Sequence, residues 1–171
     1  MGVMGGGMNH RLSFFGIGPK IAGITLAYAA VAGLARRLQP DACLLRPVPF
    51  AVSVGAATVL FAIGIPMLVI AATSAARAYQ RDQLATSGLF AIVRHPIYSA
   101  WIVFLLPGLA ILSRSWPLLF MPLVAYIVFK LSIVREDAYL EQRFGSAYLG
   151  YRARTNELIP IPRARRKAAG R

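Results

Sequence analysis

The sequence predicts an all-α fold: a polytopic transmembrane helical bundle of about four spans, with a cytosolic C-terminal helix and a folded-back tail. Three observations predict it. Of the 171 residues, 57% are hydrophobic and 15% charged, well outside the balance of a soluble domain. Apolar runs recur at lengths that can cross roughly 30 Å of hydrocarbon at about 1.5 Å per residue. No stretch alternates apolar and polar residues over the length of a strand.

The glycine-rich start, MGVMGGGM, reads as a flexible leader over residues 1–13, because no strand precedes it to make a dinucleotide fingerprint. A first span is expected from Phe14 to Ala35. It carries Lys20 near its start, where the side chain can snorkel to the headgroups, and no small-residue cleavage site followed by a soluble domain appears, so it reads as a span and not a signal. The second, Val48 to Ala76, is longer than a bilayer needs. That length implies tilt, a kink at Pro66, or an extension carrying Arg77 and Arg81. The third, Ile97 to Leu112, is short and contains Pro107, as a kinked or partly sheltered span would. The fourth runs from Trp116 to Val134.

The net charge of +13 sits at segment ends and in the tail from Arg152 to Arg171. Without a soluble fold to read a groove, this excludes nucleic acid and favours the bilayer with its anionic headgroups as the partner. The single cysteine, Cys43, permits no intramolecular disulfide and signals no metal site. Arg36, Arg37, Arg46 and Arg114 fall on one side of the bundle; Arg11, Arg77, Arg81, Arg94 and the tail fall on the other. The basic excess puts both termini in the cytosol, and the plasma (inner) membrane is the expected location.

Two polar clusters then share one face of the membrane. In AIVRHPIYSA, Pro96 suits the first turn of a helix and pushes His95 out of helical geometry, so the third span should begin at Pro96 with His95 as its cap. Arg94 and His95, with the positive end of that helix, make an anion-binding spot with Tyr98 one turn further in. Alternatively, Arg94 anchors the helix to lipid phosphate and His95 is only a cap. In the second cluster, Glu136, Leu140, Phe144 and Tyr148 recur at the spacing of one helical face, which places a carboxylate on an apolar stripe. A buried charge needs a counter-charge, so Glu136 should face Arg94 or Arg135 in a structural pair, or a cationic ligand. Asp137 doubles the local negative charge, Gly145 interrupts or bends the helix, and NELIPIP ends regular structure and lets the chain fold back.

SGLFAIVRHPIYSA, the acidic pair after the last span, YLEQRFGSAYLGY and the closing LIPIP resemble the integral-membrane methyltransferases related to isoprenylcysteine carboxyl methyltransferase and phospholipid N-methyltransferase. The resemblance runs from about Leu84 to Pro162. It divides the chain into N-terminal transmembrane helices (14–83), a methyltransferase-like catalytic region (84–162) and a basic tail (163–171). It implies an S-adenosylmethionine pocket built from the last two spans and the tail. Arg94, His95, Pro96, Tyr98, Glu136, Asp137, Tyr148 and Tyr151 would bind the cofactor, with His95 and Glu136 as catalytic residues. The sequence departs from the family's pattern at Ala100, where a glycine is usual, at Asp137, a shortened second carboxylate, and at Glu157, where a basic residue is usual, with Arg154 three positions earlier.

This chemistry suits the two clusters, because the cofactor's sulfonium and ammonium favour carboxylates while its own carboxylate favours a helix start with Arg or His. The acceptor is expected to be hydrophobic or lipidated, of the isoprenylcysteine-carboxylate type or similar. Ile102, Phe104, Leu105, Met121 and Tyr126 are core or substrate wall. Two other classes share some of these features. Membrane sterol and steroid reductases, which use NADPH, also carry an Arg-His-Pro-x-Tyr element, although the acidic pair counts against them. A non-catalytic membrane subunit would use both clusters only for salt bridges.

Overall fold

The computed structural model describes residues 17–159. The leader at 1–13, the start of the first expected span, residues 160–162 of the closing motif and the basic tail at 163–171 lie outside the described residues.

Four helices are long and apolar enough to cross a membrane. α1, Gly18–Leu38, starts with Pro19 in its first turn and ends with Arg36 and Arg37 in its last, the placement the helix dipole favours for cations. A one-turn helix, Pro40–Cys43, follows. α2, Phe50–Gln80, is a single helix of 31 residues with Pro66 inside it. At about 46 Å it exceeds the hydrocarbon thickness by roughly 15 Å. The extension expected from the sequence is therefore present, with Arg77 in the last turn and Arg81 at the C-cap.

α3, Pro96–Ser113, begins where the Pro96 reading put it, with His95 at the N-cap in a non-helical conformation. Its middle, Ala100–Leu105, is π-helical. The widened turns directly precede Pro107, whose ring crowds the carbonyl four residues back and which has no N–H to offer. Arg114 ends the helix in the left-handed region, with φ 49°.

A 3-10 turn, Pro117–Phe120, leads into α4, Met121–Arg154. α4 continues straight through the polar segment and breaks only at Gly145, at φ 53° and ψ −129°, a region essentially reserved for glycine. Among the described residues there is no strand. Two isolated bridges remain, Leu44 with Ser115 at one end of the bundle and Val93 with Asn156 at the other.

The core joins α1, α3, α4 and the tail through Ile21, Ile102, Leu106, Met121, Phe129, Ile133 and Leu158. Ile102 and Met121 are thus core, whereas Tyr126 is exposed. Small residues bring α2 against α3. A Cβ on Gly64 would lie 2.8 Å from Phe104 Cβ and 2.9 Å from Leu105 Cδ2, and one on Gly108 would lie 2.7 Å from the Phe61 ring. Close approach at small residues is how helices pack where no hydrophobic drive separates them from lipid. The outer faces are apolar: Leu131 is 75% exposed and Val31 70%, as suits a hydrocarbon solvent. The chain is an integral membrane protein. Its alternating topology gathers the start of α1, the end of α2, the start of α3 and the polar arm of α4 at one end of the bundle.

Candidate active site

That end holds a cavity of about 390 Å³, lined by Gly18, the end of α2, the 82–98 segment and the polar arm of α4. The stripe legible in the sequence is its wall: Glu136, Leu140, Phe144 and Tyr148 all line it, together with Arg94, His95, Pro96, Tyr98 and Tyr151. The two polar clusters meet directly. His95 is buried between the acidic pair, with Nδ1 3.6 Å from Glu136 Oε1 and Nε2 3.3 Å from Asp137 Oδ1.

Glu136 and Asp137, adjacent in sequence, point about 100° apart around the helix and have different surroundings. Glu136 faces the cavity. Its Oε2 accepts hydrogen bonds from the Tyr98 hydroxyl at 3.0 Å and the Ile17 backbone N–H at 3.3 Å. Asp137 turns inward, is buried, and is not among the lining residues. Tyr148 Oη donates to its Oδ1, and Arg94 Nη1 lies 3.5 Å from its Oδ2.

The structural ion pair envisaged for Glu136 takes another form. Arg94 goes to Asp137 and Glu157 instead, while Arg135 is exposed. The rotation between neighbouring helical positions carries Asp137, not Glu136, to the guanidinium.

The tail completes the site. The Arg94 N–H donates to the Asn156 carbonyl at 2.7 Å and the His95 N–H to the Glu157 carbonyl at 3.2 Å. The Ser99 hydroxyl donates to the Leu158 carbonyl. These bonds fix the turn ahead of Pro96 against residues 156–158. Glu157 lies 3.7 Å from Arg94 Nη2 and accepts from Lys130 Nζ at 2.6 Å. On the aromatic side, Tyr151 Oη donates to the Phe90 carbonyl at 2.7 Å. The rings of His95, Tyr98 and Phe129 cluster at 5.4 to 5.9 Å between centroids.

Several lining residues escaped the sequence reading. Arg143 bonds Asp82 and the Tyr139 hydroxyl and lies over the rings of Tyr139 and Phe144. Tyr139 and Arg143 continue the 136, 140, 144 face at helical spacing, so extending that pattern by one position would have found them. Asp82 carries no comparable signal, because it follows α2 and meets α4 only in three dimensions.

The cavity's size and charge suit a small zwitterion. Glu136 offers a carboxylate. Arg94, its side chain 9% exposed, also lines the cavity; its Nη1 faces Asp137, and its buried Nε has no hydrogen-bond partner among the described residues. Buried donors left open in this way are costly unless a ligand group satisfies them.

Comparison with known proteins decides the lineage. Residues 57–142 match the model of the isoprenylcysteine carboxyl methyltransferase (ICMT) family, about half of the chain. The chain belongs to this family. The ICMT match begins within α2 and ends ahead of Gly145, so it includes Arg94, His95, Glu136 and Asp137. The protein-S-isoprenylcysteine O-methyltransferase of Schizosaccharomyces pombe is 35% identical over 78 residues, which cover 46% of this chain and 33% of the relative. Protein-S-isoprenylcysteine O-methyltransferase B of Arabidopsis thaliana is 29% identical over 85 residues, covering 50% of this chain and 43% of the relative. The chain thus matches less than half the length of either relative. No solved structure matches.

Proposed function

We propose that the protein is an integral-membrane methyltransferase that moves a methyl group from S-adenosylmethionine to a lipidic or hydrophobic acceptor, of the isoprenylcysteine-carboxylate type, at the cytosolic interface. One observation carries the reading: a four-span bundle whose cavity is lined by both the Glu136 carboxylate and Arg94, whose buried Nε has no hydrogen-bond partner among the described residues. When bound, S-adenosylmethionine supplies an electrophilic methyl group on a sulfonium.

Each cluster has a role in holding it. Arg94 binds the cofactor's carboxylate through its guanidinium, a charge-assisted contact. Glu136, steadied by the Tyr98 hydroxyl and the Ile17 N–H, faces the positive end. Tyr148, Tyr151 and Phe144 give an aromatic wall that excludes water. Asp137 supports from behind, fixing Arg94, His95 and Tyr148. In this reading the catalytic region is 84–162.

Methyl transfer is an in-line displacement, which needs donor and nucleophile held at roughly 3 to 3.5 Å in a dry site. An ionised carboxylate acceptor needs no base, so His95 acts by bridging the acidic pair. Only a protonated acceptor would call on its ring as a proton acceptor. The site end is taken as cytosolic, next to anionic headgroups, in the plasma (inner) membrane.

The test is transfer of labelled methyl groups by the purified protein in detergent, screened over prenylcysteine, free isoprenoid and fatty acids, phospholipid amines and small hydrophobic thiols. Prenylcysteine should be the best acceptor, and Glu136→Gln and His95→Ala should each abolish transfer without impairing insertion. Absence of transfer to every acceptor, or full activity in either variant, would overturn the assignment.

A further inference from the structure

Lys130 is the one charged residue within the sequence LVAYIVFKLSIV of α4, and it lies about 9 Å along the helix from Glu136 toward the other end of the bundle. A charge at that depth in a membrane helix is costly and calls for a partner. Its partner is Glu157, at 2.6 Å. Glu157 also reaches toward Arg94, at 3.7 Å from Nη2, and Arg94 in turn lies 3.5 Å from Asp137. The result is a line of alternating charge: Lys130, Glu157, Arg94, Asp137.

Asp137 has a second cation near it, Arg152 at 4.0 Å, whereas Glu157 without Lys130 would have its charge set against Arg94 alone and would weaken the attraction of Arg94 for an anionic ligand. Lys130 restores the balance. It neutralises Glu157 from the far side and leaves Arg94, whose buried Nε has no hydrogen-bond partner among the described residues, an effective cationic site. In a medium less polar than water and little reached by salt, such a charge acts over several ångströms.

We propose that Lys130 is a positioning residue that keeps Arg94 available for the carboxylate of the cofactor's amino-acid moiety by neutralising Glu157. The inference rests on the S-adenosylmethionine reading of the cavity. Lys130 is not among the residues that line it, so it acts through Glu157 and Arg94.

The test is equilibrium binding, by calorimetry on the purified full chain in detergent, of two probes. S-adenosylhomocysteine carries the amino-acid carboxylate; 5′-methylthioadenosine lacks it. Lys130→Gln should weaken S-adenosylhomocysteine binding by about tenfold, roughly what one poorly screened charge supplies, and leave 5′-methylthioadenosine binding unchanged. Lys130→Arg should bind both as the wild type does. Lys130→Gln combined with Glu157→Gln removes both charges and should return affinity to within about twofold of the wild type. Glu157→Gln alone should bind S-adenosylhomocysteine at least as tightly as the wild type, which keeps the test decisive if the lysine variant folds poorly.

A purely structural staple of the tail predicts otherwise: equal weakening of both probes, and a double variant no better than the single one. Either result overturns the inference, as does unchanged S-adenosylhomocysteine affinity in Lys130→Gln. A wild-type protein that binds neither probe would overturn the cofactor reading itself, an outcome distinct from the failure of Lys130 alone.

Discussion

Asp137 and Glu136 show how much one position along a helix changes a carboxylate. Asp137, with a side chain 7% exposed, holds Arg94 and takes the Tyr148 hydroxyl. Its charge is one of two set against Arg94, the other being Glu157, and it accepts a buried hydrogen bond, so Asp137→Asn is expected to lower unfolding stability by about 2 kcal/mol, measurable by denaturant or thermal unfolding in detergent. Glu136 sits at the cavity with its side chain 21% exposed. Glu136→Gln should leave the apo melting temperature nearly unchanged and, on the proposed function, remove the stabilisation expected from S-adenosylmethionine in the wild type. A large loss of apo stability in Glu136→Gln would reverse these roles. Periodicity made Glu136, Leu140, Phe144 and Tyr148 legible as one face, and all four line the cavity. The division of labour within the acidic pair was not legible, because it depends on which neighbour reaches Arg94. Nor were the pairs Lys130–Glu157 and Arg143–Asp82, whose partners lie 27 and 61 residues apart.

At the scale of elements, two glycines set the geometry of the site by different means. Gly145 takes a conformation that a side chain resists, and the bend there turns the end of α4, with Tyr148 and Tyr151, back toward the 90–98 segment. Gly145→Ala is expected to cost about 1 to 3 kcal/mol and to weaken cofactor binding by displacing the two tyrosines; binding titration of the variant checks this. Gly64 acts by absence of bulk, since its added Cβ would meet the Phe104 Cβ, an atom fixed close to the backbone. Gly64→Ala should destabilise the bundle by about 1 to 3 kcal/mol. Gly108→Ala should cost less, because the Phe61 ring it would meet can rotate; thermal unfolding of the two variants side by side gives the ranking. The four spans were readable from length and hydropathy, and the start of α3 from Pro96, because these are local properties. The π-helical middle of α3 was not, since a proline announces a disturbance without saying whether the helix bends, breaks or widens.

The whole molecule places every lining segment at one end of the bundle. This follows from an up-and-down path of four spans, and the proposed orientation, drawn from the basic residues, puts that end in the cytosol. Single cysteines in a Cys43→Ser background test the assignment. In intact cells a membrane-impermeant maleimide should label Asp41→Cys and not Gln80→Cys, and inside-out vesicles should give the reverse. The opposite pattern would put the cavity outside and remove its access to cytosolic cofactor. The convergence of the two polar clusters was legible from topology alone. The part played by residues 156–158 was legible only as a chain reversal, because a pair of prolines signals a turn but not where the turned chain lands.

That landing ties the competence of the site to timing during biosynthesis. The backbone groups of Arg94 and His95 are satisfied by carbonyls more than sixty positions downstream. A nascent polypeptide with all its spans inserted therefore still has an unfinished cavity. Only when translation has passed residue 158 can the Arg94 turn settle, so a truncated product should integrate normally yet remain inert.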